Sequence, residues 1–151
     1  MLREAFTDRL KQAMRAKDAR TLSAVRLILA GLKDRDIAAR GAGNTEGIPE
    51  SEILRLLQSM VKQRRESIAM YRQGNRPELA AKEEQEIAVI ESFLPRQMSE
   101  EDIAAAVKEA IGATAAAGVK DMGRVMAVLR ERHAGVIDMA KAGAIVKQLL
   151  S

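Results

Sequence analysis

The stretch "ESFLPRQMSEEDI", Glu91 to Ile103, stops one helical pattern and starts another. The Pro95 ring cannot continue a helix, and it pushes Leu94 toward an extended conformation. Four residues on, Ser99 is followed by Glu100, Glu101 and Asp102. That is an N-cap with an acidic first turn, where the helix dipole favours carboxylates. Upstream of Pro95 the apolar patterns are long, and downstream they are short and closely punctuated. The change predicts a seam between two domains, residues 1–95 and 96–151, rather than a turn inside one bundle. The second is small for independent stability and is expected to be the weaker half.

Working back from the seam, Leu79, Ile87, Ile90 and Leu94 form the apolar face of a fourth helix, with Pro77 and Glu78 in its first turn and Asn75 as its cap. Gly74-Asn75 closes a third helix, opened at Gly47-Ile48-Pro49, whose face is Ile53, Leu57, Met60, Ile68 and Tyr71. Equal counting from that turn makes the two an antiparallel hairpin and sets Arg64 opposite Glu83. Leu22, Val25, Leu29 and Leu32 mark a second helix, which runs out in "AARGAGNTEG", and Leu2, Phe6, Leu10 and Met14 mark a first. Forward from the seam, Ile103, Val107 and Ile111 lie on a fifth helix ending near Gly118. Asp121 caps a sixth, with Met122, Val125, Met126 and Leu129, ended by Gly135. Asp138 caps a seventh, with Ile145, Val146, Leu149 and Leu150.

Composition agrees with an all-α fold of about four helices followed by three. Apolar residues make up 47% of the 151, but aromatics only 2%, so the core must be built from aliphatic side chains, Met and Ala. No period-two run of β-branched residues predicts a strand. The absence of cysteine excludes disulfides, thiolate nucleophiles and Cys-based zinc sites. The first residues, "MLREAFTDRLKQAMRAKD", carry charges every few positions and read as neither signal nor transit peptide. With no apolar run of roughly 20 residues, a cytoplasmic protein with no membrane partner is expected. The net charge of +4 divides as 17 Lys and Arg against 14 Asp and Glu in residues 1–95, and 8 against 7 in the remainder. Neither half is a dedicated basic arm, so the balance permits nucleic-acid binding without requiring it.

Two stretches carry a resemblance: "KQRRESIAMYRQGNRPELAAKEEQEIAVIESFLPRQMSEEDI" from Lys62 to Ile103, and "DMGRVMAVLRERHAGVIDMAKAGAIVKQLL" from Asp121 to Leu150. In order and spacing the chain resembles the GatB/YqeY-like family over essentially its whole length. The resemblance implies an N-terminal helical domain joined near Pro95 to a small C-terminal helical one. It also implies kinship with the tail of the B subunit of glutamine-dependent tRNA amidotransferases, a tail that the resemblance implies helps to hold the tRNA at a place remote from the chemistry. Stand-alone members are classed by that kinship with carbon–nitrogen ligases that use glutamine as amide donor. One departure stands out. Many relatives carry a basic Gly-Arg-Ala-Asp-Gly-Lys turn before the last helix, and here it reads Gly135-Val136-Ile137-Asp138-Met139-Ala140-Lys141. If that turn touches phosphate in relatives, part of the contact is lost here.

No residue set reads as catalytic, and no cofactor or metal is expected. Amide transfer from glutamine needs a nucleophile with a base and oxyanion donors. Ser59 and Ser67 lie within the third helix, and "GAGNTEG" leads to no phosphate-binding Gly-Lys-Ser/Thr. His133, the single histidine, falls at a helix C-terminal end, where its cation meets the dipole favourably. Glu83, Glu84 and Glu86 define no ligand geometry.

Binding is the stronger signal. Lys62, Arg65, Arg72 and Arg76 follow at spacings of three, seven and four along one side of the third helix and its exit. Such a row can straddle a phosphate backbone and release counterions. Arg124 and Arg130, with Arg132, form a second cluster on the sixth helix, and Lys141 follows. The bland alternative is a solvated face with i,i+4 partners such as Glu66. Without exposed stacking aromatics, recognition would be of shape and phosphate. The expected function is a tRNA-binding or amidotransferase-associated accessory protein, with tRNA, an aminoacyl-tRNA or an amidotransferase component as partner. A participant in glutamine-dependent amide transfer and a protein–protein adaptor are the alternatives.

Overall fold

The computed structural model describes residues 1–151. It contains no strand, and seven α-helices in the expected order: α1 (Leu2–Ala16), α2 (Ala19–Gly41), α3 (Glu50–Gln73), α4 (Pro77–Glu91), α5 (Glu100–Thr114), α6 (Met122–Arg132) and α7 (Met139–Leu150), with a 3₁₀ turn at Val119–Asp121. The chain divides into two compact units, Met1–Leu94 and Pro95–Ser151. The opening stretch splits its own apolar side chains accordingly. Phe93 and Leu94 pack on the first core, and Met98 packs on the second.

In the first unit α3 lies along α4, α1 along α2, and α2 touches both α3 and α4. Phe6, Val25, Ile28, Leu57 and Ile90 are completely buried at the centre. Phe6 meets Phe93 edge to face with centroids 4.9 Å apart, and the Arg9 guanidinium sits 5.8 Å from the centre of the Phe93 ring. Met14, expected on the α1 face, is exposed, and Ala13 is buried in its place. The chain reverses at Lys17 (φ 54°) directly beside Ala13, whose carbonyl accepts from the Asp18 N–H at 2.9 Å. The missed centre of α2 is Ile28.

Asn75 does not cap α4. It takes the left-handed conformation (φ 56°) that closes α3, where Asn is tolerated. Its N–H bonds to the Arg72 carbonyl, and the Arg76 N–H to the Tyr71 carbonyl. Arg76 stands at the α4 N-terminus without a side-chain cap, and Pro77 fills the first helical position. Arg64 lies ten residues before Gly74 and Glu83 only eight after Asn75, so the expected partner falls short of the true register. Arg64 pairs chiefly with Glu86 (2.9 Å), one turn beyond the expected Glu83, which lies at 3.9 Å. All three side chains are largely buried, and Arg64 also donates to the Met60 carbonyl.

A second ionic node went unforeseen. Asp36 on α2 accepts from both Arg3 Nη atoms at 2.8 and 2.9 Å and from the Ile48 N–H at 2.9 Å. Arg3 Nη2 also donates to the Ile48 carbonyl, and the Leu2 N–H to Glu50 Oε1. Gly47 has φ 96°, which favours glycine, and a Cβ there would come within 2.7 Å of Arg3 Nη2 and push the guanidinium off its place beside Asp36.

In the second unit α5, α6 and α7 each pack on the other two around Ile103, Val107, Val125, Leu129, Ala142 and Val146. Ser99 and Asp102 form a reciprocal capping box, and Asp138 accepts from the N–H groups of Ala140 and Lys141, both as the residue types predict. The segment after Pro95 is stitched to the α6–α7 turn. The Met98 N–H meets the Val136 carbonyl at 2.9 Å, and Gln97 Nε2 meets the Gly135 carbonyl at 2.8 Å. Two boundaries differ from expectation. The fifth helix ends at Ala115 (φ 52°), short of Gly118. Asp121 makes no cap to α6, because its carboxylate turns back to the N–H groups of Ala117 and Gly118.

The Arg3 guanidinium, followed by the Ile48 N–H, holds the Asp36 carboxyl down at about 2, against its ordinary 3.8. A carboxylate whose folded value is depressed contributes stability that is complete above its unfolded value and disappears as pH falls through the folded one. Discounted for the partial exposure of the pair, that contribution is about 1–2 kcal/mol. Denaturant titrations should show wild type losing about that much more than Asp36→Asn between about pH 5 and pH 2. Identical pH dependence would show the node to be energetically silent. At the hairpin, Arg64→Leu should cost about 1–3 kcal/mol by stranding Glu86, and adding Glu86→Leu should recover part of it. Simple additivity in that cycle would mean the pair is uncoupled.

Candidate nucleic-acid interface

α3 keeps Lys62, Arg65 and Arg72 within one side of its cylinder, because steps of three and seven residues are close to whole turns. All three are exposed. Arg76 lies past the helix end, in the turn to α4. Arg65 and Arg72 stand together on the rim of a shallow groove between α3 and α4, floored by Ile68, Ala69 and Ile87 and bounded by Glu84.

The acids that face these cations come mostly from α4. Arg65 Nη2 is 3.1 Å from Glu91, Arg72 pairs with Glu84, and Arg76 Nε is 2.8 Å from Glu78. Arg76 lowers the Glu78 carboxyl below its ordinary value by hydrogen bonding. Every member of these pairs is substantially exposed. Lys62 forms no ion pair. The sequence signal for the acids was present in "ELAAKEEQEIAVIE", but their partners depend on the hairpin register, which spacing alone does not give.

The second cluster is dispersed. Arg124 and Arg130 lie six residues apart on α6, about a third of a turn out of line. Arg124 is engaged internally, with Asp121 at 2.8 Å and the Thr114 carbonyl at 3.3 Å, where it braces the loop entering α6. The Asp121 carboxyl is lowered first by the Ala117 N–H and then by Arg124. Arg130 and Arg132 are exposed and unpaired, and Lys141 is 3.9 Å from Glu100. His133 is the C-terminal cap residue of α6. No group of three or more His, Asp or Glu comes together in a metal-holding cluster, and no helix is long and apolar enough to cross a membrane.

Charge is unevenly spread within the N-terminal domain. Residues 1–41, which make α1 and α2, hold ten Lys and Arg against five Asp and Glu, a net +5. The other 110 residues hold fifteen against sixteen. The basic excess of the protein therefore lies on the α1–α2 hairpin, not on α3.

A model of the family described as "Yqey-like protein" matches residues 3–150. The chain belongs to that family. Among curated proteins this Yqey-like chain is similar to "Altered inheritance of mitochondria protein 41, mitochondrial" from three yeasts. It is 35% identical to that of Vanderwaltozyma polyspora over 85 residues, 56% of this chain and 44% of the relative. It is 34% identical to that of Lachancea thermotolerans over 85 residues, 56% and 43%. It is 31% identical to that of Saccharomyces cerevisiae over 106 residues, 69% and 55%. The chain thus spans about half the length of the curated relatives it matches.

Exposed ion pairs contribute little to stability, typically about 0–1 kcal/mol. The double change Glu84→Gln with Glu91→Gln should therefore move the unfolding free energy by less than about 1 kcal/mol. A larger loss would make the groove acids structural rather than exchangeable.

Proposed function

We propose that this Yqey-like protein is a non-catalytic accessory factor that grips folded tRNA, working beside a tRNA-dependent amidotransferase or presenting tRNA to one. The observation that carries the reading is the exposed row of Lys62, Arg65 and Arg72 along α3. Its acid partners are themselves exposed, so a phosphate can replace a carboxylate at little cost. The resemblance of the chain to the tail of the amidotransferase B subunit supports the choice of RNA. The lack of cysteine supports a role apart from thiolate chemistry at glutamine. In this reading the N-terminal domain, residues 1–95, supplies most of the grip. The C-terminal domain, residues 96–151, adds Arg130 and Lys141, and Arg124 serves as a brace. The compartment proposed is the cytoplasm, whereas the names of the yeast relatives place those proteins in mitochondria.

Binding to a tRNA transcript should weaken steeply from low to physiological salt, since each neutralised phosphate releases counterions. Charge reversal of Arg65 and Arg72 should weaken it by at least about tenfold, and Glu84→Gln with Glu91→Gln should strengthen it. Absence of binding at low salt would remove the reading. Glutamine hydrolysis or ATP turnover by the purified chain would replace it with the enzymatic alternative.

A further inference from the structure

Three observations single out the outward face of α2. First, Arg26, Lys33 and Arg40 follow at intervals of seven residues, two helical turns each, so they stand in one line about 21 Å long. Each is exposed and forms no ion pair or side-chain hydrogen bond, unlike Arg65, Arg72 and Arg76. Asp36, the acid nearest Arg40 on α2, is already occupied by Arg3 and the Ile48 N–H. The one unengaged carboxylate on the helix is Asp34, to one side of the line. Second, the next rank on the same face is Ser23, Ala30 and Ile37. Two of these three are small, and Ser23 borders a shallow depression beside Arg26 that Ala19, Leu22 and Leu27 also line. A large ligand can approach the helix closely there. Third, the α1–α2 hairpin holds more than the whole net charge of the protein.

The kind of polyanion follows from what the surface lacks. Single-stranded nucleic acid is gripped by exposed aromatic side chains on which bases stack. All three aromatics here are committed to packing: Phe6 is buried, Phe93 lies against it, and Tyr71 packs on the same core. A straight rank of cations without stacking partners matches a regular array of phosphates. Double-stranded RNA presents such an array and is recognised by shape and backbone.

From these observations we infer that the α2 face formed by Arg26, Lys33 and Arg40 is a docking surface for the phosphate backbone of a double-helical RNA segment. The inference rests on the RNA-binding reading above and adds to it a second contact, on a different helix, and the class of RNA structure it takes.

The test measures binding of the full-length protein to a tRNA transcript across a salt series. Three proteins are compared: wild type, the triple variant R26Q/K33Q/R40Q, and the double variant R65Q/R72Q. Unlabelled competitors are a 16-base-pair RNA duplex, a single-stranded oligonucleotide of equal length, and polyglutamate of equal charge. The triple variant should bind at least about tenfold more weakly, and its salt slope should fall by about three, one for each lost contact. Circular dichroism of the triple variant should be unchanged, because the three side chains are exposed. The duplex should compete better than either other polymer. If wild type binds tRNA and the triple variant stays within about twofold of it, the α2 inference is overturned while the RNA-binding reading stands. Equal competition by polyglutamate would also overturn it, in favour of an acidic protein partner. If wild type does not bind RNA at all, both fall together.

Discussion

The carboxylate of Asp36 is the constraint on which the N-terminal unit turns. It gathers three donors from two distant places, two from Arg3 at the start of α1 and one from the Ile48 backbone just before α3. A bidentate Arg–carboxylate pair fixes direction as well as distance. The loop after α2 is thus returned to a set point, and α3 begins in one rotational setting about its own axis. That setting decides which face carries Ile53, Leu57 and Met60 into the core and which carries Lys62, Arg65 and Arg72 to solvent. Gly47 is part of the same device, since any side chain there would occupy the space of Arg3 Nη2.

What the sequence made legible is local. Pro95, the Ser99–Asp102 box, Asp138 and Pro77 act within three residues of themselves, so their meaning survives without knowledge of the fold. What it hid depends on partners far along the chain. Asp36 in mid-helix looks like any solvated acid until Ile48 returns to it. Glu83 and Glu86 lie one turn apart on the same side of α4, both within reach of Arg64, and spacing alone does not choose between them. Ala115 adopts a left-handed conformation for which its residue type gives no signal.

The candidate site divides in the same way. Helical spacing placed Lys62, Arg65 and Arg72 on one side of α3, which needs only a period of 3.6 residues. It said nothing of Glu84 and Glu91, because these reach the site from a second helix. It also assigned Arg124 to a surface cluster, whereas the structure gives that side chain Asp121 and the Thr114 carbonyl. Asp121 stands only three residues before Arg124, but the Thr114 carbonyl is ten residues back and comes within reach only through the course of the intervening loop.

The contrast between the two basic rows has an electrostatic reason. Cations crowded on one face repel one another, and a protein can relieve that in two ways. On α3 and its exit, an acid stands beside each of Arg65, Arg72 and Arg76. On α2 no acid stands beside the row: seven residues separate neighbours by about 10.5 Å, the same step as from Arg65 to Arg72, and close to the Debye length of ~8–10 Å at ordinary ionic strength. Their mutual repulsion is then largely screened, and the row can stay unpaired without a large loss of stability. A polyanion meeting α3 must first displace carboxylates, and one meeting α2 displaces only mobile counterions. Of the two rows, α2 therefore offers phosphate the larger gain per contact, although α3 is the one whose spacing first draws notice.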